Sequence, residues 1–128
     1  MGLTIYRAGD VAIDAGDTAV VTFPGAGGAR FAGLCAYAKV VLGGGDGVAF
    51  SLEVAAVPDP GADDWFDVKV VDAAGTSEET LVSTVTLVAD AAAAVFTCEQ
   101  LATAVRVSMK NNDSGTAATV SLVVLAEG

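Results

Sequence analysis

Histidine is absent from this sequence of 128 residues, and basic residues are few. Without an imidazole the chain has no Ser-His-Asp or Cys-His nucleophile system, and it lacks the commonest metal ligand. Six Lys and Arg residues stand against 16 Asp and Glu residues, which gives a formal net charge of −10. The basic residues are scattered singly, whereas phosphate binding needs clustered positive charge. The composition therefore argues against an enzyme and against a nucleic-acid partner.

Long apolar runs are missing as well. The chain is 53% hydrophobic, but its most apolar stretch, Ala91–Phe96, is far shorter than the roughly 20 residues that cross a membrane. The opening residues MGLTIYRAGD contain an acid and lack the apolar run of a signal peptide. We therefore expect no membrane partner, and we expect synthesis in a cytoplasm.

Cysteine is scarce, and its two positions do not form a metal-binding motif. Cys35 and Cys98 lie far apart in the chain, and each falls within a segment that is typical of a strand. They are interpreted either as two small buried apolar side chains or as the partners of a disulfide. No cofactor is expected from the residue types present.

Alternation of apolar and polar residues dominates what the sequence does contain. In VAFSLEVAAV (residues 48–57), apolar residues occupy every second position, which is the pattern of a half-buried strand. The segments WFDVKVV, TAVRVSMK and ATVSLVVL repeat this pattern. The residues predicted to point inward are Val48, Phe50, Leu52, Val54, Phe66, Val68, Val70, Val105, Val107, Met109, Val120, Leu122 and Val124.

Less regular strands complete an all-β prediction. They are LTIYR, TAVVTF, RFAGLCAYAKVVL, ETLVSTVTLV and AVFTCE, and clusters such as PGAGGA, GGGDG and NNDSG separate them as turns. The spacing predicts an antiparallel, jelly-roll-like β-sandwich of eight to nine strands. Residues 18–128 are predicted to form this single domain. Residues 1–17 are predicted to form an N-terminal arm or edge strands, because LTIYR and VAI are short and split by AGD.

The segment DAAAAVFTCEQLATAV (residues 90–105) is ambiguous between helix and strand. Asp90 could cap a helix whose apolar stripe would contain Ala94, Cys98 and Leu101. Phe96 and Cys98, however, alternate with polar residues as in a strand. The strand is favoured, followed by at most one short helical turn near residues 99–102.

Several strands carry apolar residues on both faces. Such strands need cover on both sides, and a two-layer sandwich of this size covers only one. We therefore expect a subunit interface to cover the second face, although small Ala and Val side chains are also tolerated on surfaces. The predicted interface residues are Leu3, Ile5, Tyr6, Phe31, Tyr37, Val41, Val123 and Leu125.

Two loops contain clustered oxygen-bearing side chains. Asp59, Asp63, Asp64 and Asp67 surround Trp65, and they could bind calcium, act as a carboxylate pair or form a solvated acidic loop. In NNDSG, Asn, Asp and Gly tolerate positive φ, and their side chains can cap the local backbone, so a hairpin turn is favoured over a calcium loop. A hairpin is also the interpretation of GGGDG (residues 43–47).

Aromatic residues offer a second kind of binding site. Trp65, Tyr6 and Tyr37 could form a platform on which a sugar stacks, as in a carbohydrate-binding or adhesion module. With aromatics at 6% of the chain, anchoring in the core or in an interface is the simpler interpretation.

The segments VAIDAGDTAVVTFPGA and AVFTCEQLATAVRVSMKNNDSGTAATVSLVVL, with a short acidic C-terminus, resemble the small β-sandwich virion proteins of tailed bacteriophages. These include head decoration (cementing) proteins and neck or tail accessory proteins. The resemblance implies a non-enzymatic protein on the outer surface of a capsid, assembled in the host cytoplasm, whose partner is a capsid, neck or tail protein. It also implies a homo-oligomer, a trimer or a dimer. It transfers no binding residue.

Overall fold

The computed structural model describes residues 2–24 and 31–127 of the chain. Every regular element in these two ranges is a β-strand, and every strand pair is antiparallel. The all-β prediction is confirmed. The strands are β1 (Leu3–Ile13), β2 (Thr18–Pro24), β3 (Gly33–Val41), β4 (Val48–Ala55), β5 (Trp65–Val68), β6 (Val70–Asp72), β7 (Leu81–Val82), β8 (Val85–Leu87), β9 (Ala91–Cys98), β10 (Ala104–Asn111) and β11 (Ala118–Glu127).

The strands pair as one long hairpin would, from its open end to its tip. β1 pairs with β11, β2 with β10, β3 with β9 and β4 with β8. Rolling up this ladder brings β11 beside β3 and β10 beside β4. The result is a six-stranded sheet of order β1-β11-β3-β9-β6-β7 and a five-stranded sheet in which β2-β10-β4-β5 is extended by β8 on β4. This is the jelly-roll form of the predicted sandwich.

The hydrophobic core lies between the two sheets. The residues predicted to point inward from β4, β10 and β11 are all buried, which confirms the alternation pattern on these three strands. They pack in one cluster with the inner residues of β3 and β9. The largest side chains with almost no exposed surface are Phe31, Phe50, Phe96, Ile13, Leu52, Met109 and Leu122.

The structure has eleven strands instead of eight to nine, because two predicted strands each cross between the sheets. WFDVKVV divides at Lys69 into β5 of the five-stranded sheet and β6 of the six-stranded sheet. ETLVSTVTLV divides into β7 of the six-stranded sheet and β8 of the five-stranded sheet. The inward prediction for Phe66 is wrong: it lies opposite Val54 on β5, but at this outer strand the ring is 60% exposed.

Residues 3–13 form one continuous strand at the edge of the six-stranded sheet. β1 pairs with β11 along its whole length, and Gly9 and Asp10 together face Ser121 in a β-bulge. Asp10 adopts a φ of 49° there, and its backbone N–H donates to the Ser121 hydroxyl at 3.1 Å. The bulge explains why AGD resembles a break in the sequence, since it shifts the alternation by one residue.

The ambiguous segment is a strand. β9 spans Ala91–Cys98, and among the described residues there is no helical turn at 99–102. Ala102 instead pairs with Phe31 in an isolated bridge, with the Phe31 N–H donating to the Ala102 carbonyl at 2.8 Å. No helix in the described ranges is long and apolar enough to cross a membrane.

Both predicted hairpins are wrong, because each loop crosses from one sheet to the other. GGGDG connects β3 to β4, and NNDSG connects β10 to β11. Positive φ at Gly43, Gly44 and Gly47 is nevertheless present. At Gly47 a Cβ atom would lie only 2.8 Å from the Leu87 carbonyl oxygen. The predicted turn PGAGGA falls mostly on residues 25–30, outside the described residues.

Candidate functional site

On the six-stranded sheet, the side chains that point away from the core align across all six strands. Residues that lie opposite one another in a register share a face of the sheet. One band of opposed residues begins on β1 and ends on β7, and no charged residue interrupts it. We call it the Cys35 row, and its members in order are Ile5, Leu125, Cys35, Thr97, Val71 and Leu81.

Charged residues lie in the neighbouring rows, and the two ends of the strands carry net charges of opposite sign. On one side come the Tyr37 row (Arg7, Val123, Tyr37, Ala94) and then the Lys39 row (Ser121, Lys39, Ala92). On the other side comes the Glu127 row (Leu3, Glu127, Gly33). Glu99 follows the end of β9 at this level, together with Lys69, which precedes β6. Two acids and one base thus stand at one end of the face. At the other end stand Arg7, Lys39 and Asp10, whose carboxylate accepts a hydrogen bond from the Ser121 hydroxyl at 3.2 Å, so the net charge is negative at the first end and positive at the second.

Two shallow depressions follow this division of the face. The first has a volume of about 520 Å³, and its lining includes Arg7, Lys39, Tyr37 and Val123. The second has a volume of about 960 Å³. It is lined mainly by the Cys35 row and by the residues next to it, among them Leu125, Cys35, Val71, Leu81, Thr97, Glu99, Glu127 and Lys69.

The outer face of the five-stranded sheet has a different character. Its central row is Thr22, Arg106, Glu53 and Asp67, and the next row contains Val20, Ser108 and Ser51. Arg106 binds Glu53 through two hydrogen bonds, Nε to Oε1 at 2.9 Å and Nη2 to Oε2 at 3.0 Å. Its guanidinium carbon also lies 4.5 Å from the centre of the Trp65 ring. The hydrogen bonds to Glu53 raise the pKa of Arg106, and the two charges at the centre of this face neutralise each other.

The contrast between the two outer faces defines the candidate site. The six-stranded sheet exposes large apolar side chains, including Leu3 at 64%, Ile5 at 55% and Leu81 at 55%. A contiguous apolar patch on a sheet is typical of a surface that another protein layer covers. We therefore identify the outer face of the six-stranded sheet, from the Glu127 row to the Lys39 row, as the candidate interaction surface.

Six of the eight predicted interface residues lie on the outer face of the six-stranded sheet, five of them within the candidate surface and Val41 one row beyond the Lys39 row. Leu3, Ile5, Tyr37 and Val41 are exposed, and Val123 and Leu125 are partly exposed among them. Sequence reasoning missed Cys35 as an outer-face contact residue and also missed Thr97, Val71 and Leu81. The last two lie on strands of two and three residues, which are too short to show an alternation pattern.

Tyr6 and Phe31 do not belong to the candidate surface. Phe31 is 1% exposed in the core, because the chain bends at Ala32 and so shifts the alternation between Phe31 and β3. Tyr6 points to the inner side of β1 and is half-buried against the core. Its ring centre lies 5.3 Å from that of Phe23 and 5.4 Å from that of Phe31.

The three aromatic residues proposed as a sugar platform lie on three different surfaces. Tyr6 lies inside the sandwich, Tyr37 lies on the outer face of the six-stranded sheet, and Trp65 lies on the outer side of the five-stranded sheet. One face of the Trp65 ring is already occupied by Arg106. The structure therefore does not bring these rings together.

The acidic loop is not assembled as a metal site either. Among residues 2–24 and 31–127, no group of three or more His, Cys, Asp or Glu side chains is placed to hold a metal ion. Asp59, Asp63 and Asp67 are exposed, and Asp64 accepts a hydrogen bond from the Gly61 N–H at 2.7 Å. The carboxylates thus point to solvent or stabilise their own loop.

Cys35 and Cys98 are both free thiols. Cys35 lies opposite Thr97 and Cys98 lies opposite Leu34, so the two side chains point to opposite faces of the same sheet. This placement is incompatible with the disulfide geometry that requires neighbouring Cβ atoms. Cys98 is buried, and burial raises the pKa of its thiol. Cys35 instead lies in the middle of the candidate surface.

The loop NNDSG builds a polar clamp at one end of the sandwich. The buried Asn111 side chain donates from Nδ2 to the carbonyls of Ile13 at 3.1 Å and Thr116 at 2.8 Å, and its Oδ1 accepts from the Asp113 N–H at 3.0 Å. Asp113 in turn accepts from the N–H groups of Gly115 and Thr116. Every one of these oxygens serves the loop itself, which gives NNDSG a structural role.

Comparison of the sequence with models of known protein families gives no match, and comparison with curated proteins gives none.

Proposed function

We propose that this chain is a non-enzymatic structural protein of a virion. In its most specific form the proposal is a decoration or cementing protein that stabilises a phage shell by binding neighbouring capsid subunits. The observation that carries the assembly part is the contrast between the two outer faces of the sandwich. One has the Arg106–Glu53 ion pair at its centre, and the other exposes the uncharged Cys35 row across six strands.

The virion part of the proposal is supported by the jelly roll and by the charge of the chain. Jelly rolls recur in viral capsid domains, although the fold by itself does not fix a function. A net charge of −10 disfavours contact with packaged DNA and suits the outer surface of a shell. The pattern-level resemblance to phage decoration proteins points in the same direction.

A carbohydrate-binding role receives no support from a specific observation, since Tyr6, Tyr37 and Trp65 lie apart. A neck or tail role would use the same apolar surface and differs only in the partner. The partner is therefore what the experiment must identify.

The direct test is the location of the chain in particles. Tailed particles from the host that carries the gene are purified on a density gradient, and their proteins are quantified by mass spectrometry. We expect this chain in stoichiometric amounts with the major capsid protein, and we expect antibody labelling on the outside of heads. A chain that remains in the soluble fraction would contradict the virion proposal, and labelling confined to the neck or tail would replace decoration with an accessory role.

A variant pair tests whether the candidate surface makes the attachment. Val123→Ser changes the Tyr37 row, whereas Val88→Ser makes the same chemical change at an exposed valine between β8 and β9. We expect Val123→Ser to reduce incorporation into particles and Val88→Ser to leave it unchanged. Equal incorporation of both variants would place the attachment elsewhere on the molecule.

A further inference from the structure

We propose that the outer face of the six-stranded sheet binds the same face of a second copy of this chain, in a two-fold symmetric dimer of four sheets. The proposal deepens the assembly function proposed above and rests on it only in using the same surface. The second copy covers this surface in the free protein, and attachment to a capsid through the same surface would require the dimer to separate. The partner is a second copy because the two ends of this face carry opposite net charges. A two-fold rotation brings the negative end of one copy over the positive end of the other.

The complementarity follows from the order of the rows. A two-fold axis that lies parallel to the rows, between the Cys35 row and the Tyr37 row, places the Glu127 row of each copy over the Lys39 row of the other. It also places the Cys35 row of each copy over the Tyr37 row of the other. If the two-fold axis instead ran parallel to the strands, the Glu127 rows of the two copies would lie over each other, and so would the Lys39 rows. Like charges would then meet.

Lys39 is the residue best placed to make the cross-pair. It lies on β3, which is flanked in the sheet by β11 and β9. The carboxylates at the opposite end of the face, Glu127 and Glu99, belong to these two flanking strands or directly follow them. After the rotation, each Lys39 ammonium lies between the Glu127 and Glu99 carboxylates of the second copy. Arg7 adds a further positive charge on β1, whereas Asp10 is an acid beside Ser121 at the basic end and Lys69 is a base within the acidic end.

The chemistry at the centre of the face fits burial in such a dimer. Leu125, Cys35, Tyr37 and Val123 lie on the two middle strands, β11 and β3, and carry no formal charge at neutral pH. Charge-poor centres with aromatic side chains and a charged rim are typical of protein–protein interfaces. The two depressions of the face also exchange places under the rotation, so that the one beside Lys39 meets the one beside Glu127.

The size of the face suffices for a specific dimer. Six strands at a spacing of about 4.8 Å are roughly 24 Å wide, and four rows separated by about 6.7 Å are roughly 20 Å long. The flat area is then on the order of 500 Å² per copy, and the accessible surface of the side chains exceeds it. Two copies together reach the value of about 1,000 Å² that separates specific interfaces from incidental contacts.

The experiment uses two charge reversals on the full chain, Lys39→Glu and Glu127→Lys. Each variant alone places like charges against each other twice in its own dimer. We expect each to raise the dimer dissociation constant by about tenfold or more, as measured by analytical ultracentrifugation at low salt. When the two variants are mixed, both contacts of the mixed dimer pair opposite charges again. We therefore expect the mixture to regain a mass of twice 12.6 kDa.

Lys110→Glu is the matched control, since it makes the same charge change on an exposed residue of the five-stranded sheet. We expect this variant to dimerise like the native chain. All variants alter exposed side chains, so unchanged urea midpoints verify folding. A native chain that is monomeric at every concentration would overturn the dimer, as would single variants that dimerise normally or a mixture that stays monomeric. Incorporation into particles is measured separately, so the dimer can fail while the proposed function stands.

Discussion

At the scale of single residues, Asn111 has the most demanding position in the described part of the chain. It is the one polar or charged residue there that is counted as buried, at 1% exposure, and its side chain connects the end of β1 to the loop before β11. Two strands that open and close the chain are thereby held at the same end of the sandwich. Such satisfied buried amides specify a particular arrangement of loops.

We predict that Asn111→Ala lowers the free energy of unfolding by about 2 to 3 kcal/mol, because it leaves the Ile13 and Thr116 carbonyls without their donor and removes the acceptor for Asp113. The neighbouring Asn112 is exposed, and Asn112→Ala should change the free energy by less than about 0.5 kcal/mol. Urea unfolding measures both. Similar losses for the two variants would show that the amide clamp does not stabilise the fold.

Two aspartates make stability dependent on acid pH. Partial burial acts to raise the pKa of Asp72, but hydrogen bonds from the Thr76 hydroxyl and from the backbone N–H groups of Ala74, Thr76 and Ser77 outweigh it and lower the pKa. The N–H of Gly115 is the largest cause of the lowered pKa of Asp113. In the unfolded chain both carboxyls titrate near a pKa of about 3.9.

We predict that the fold is fully stabilised by these carboxylates above about pH 5, and that stability falls as the pH drops through 4 toward their lower folded pKa values. The reason is that the unfolded state takes up protons first. In Asp72→Asn the stability should be lower at neutral pH and its dependence on acid pH weaker, as measured by urea midpoints from pH 7 to about pH 3. Asp63→Asn, at an exposed loop position, serves as the control. An unchanged pH profile in Asp72→Asn would contradict this assignment.

At the scale of strands, β1 shows how an edge strand can serve the core and the surface at once. Before the bulge its outward residues Leu3, Ile5 and Arg7 belong to the candidate surface, and after the bulge Ile13 is buried in the core. A long edge strand is open to pairing with other chains, and a bulge is one of the devices that prevent this.

We predict that Ile13→Ala lowers the free energy of unfolding by about 2 to 4 kcal/mol, since it leaves a cavity beneath β1. Ile5→Ala removes the same atoms from the same strand at a position that is 55% exposed, and should cost less than about 1 kcal/mol in the monomer. Urea unfolding at low protein concentration separates the two. Equal small effects would indicate that β1 is a detachable arm after all.

The strands also show how far the sequence could predict this structure. In β4, β10 and β11, regular alternation was sufficient to assign the large core side chains, because period two has only two possible phases. Lys69 and the residues 83–84 could not be recognised as crossings between sheets, since a strand that changes sheet keeps the same local pattern. The hairpins predicted at NNDSG and GGGDG were wrong for the same reason. Local turn chemistry does not determine which sheet receives the next strand.

The candidate surface was predicted only in part, and its omissions share a physical cause. Leu125, Val123 and Tyr37 were identified because they stand on long strands with two apolar faces. Val71 and Leu81 belong to the candidate surface because β6 pairs with β7 and with β9. No local sequence pattern predicts these pairings. Phe31 was misassigned because a single bend at Ala32 reversed the side to which it points.

At the scale of the whole molecule, the jelly roll has one polar outer face and one apolar outer face. The mean hydropathy of +0.60 is explained by a core between the sheets together with this second apolar layer outside them. This division supports the proposed assembly, because the exposed apolar rows are covered only when another surface lies on them. The acidic charge of the chain then remains on its loops and on its polar face.

The most direct test of this account is the reactivity of the Cys35 thiol in a Cys98→Ser variant, measured with a maleimide in dilute solution and in the assembled state. Cys35 lies at the middle of the candidate surface, so we predict labelling in the dilute protein and at least about tenfold slower labelling after assembly, at equal pH. Equal rates in both states would show that the outer face of the six-stranded sheet stays open, and this would contradict the central claim.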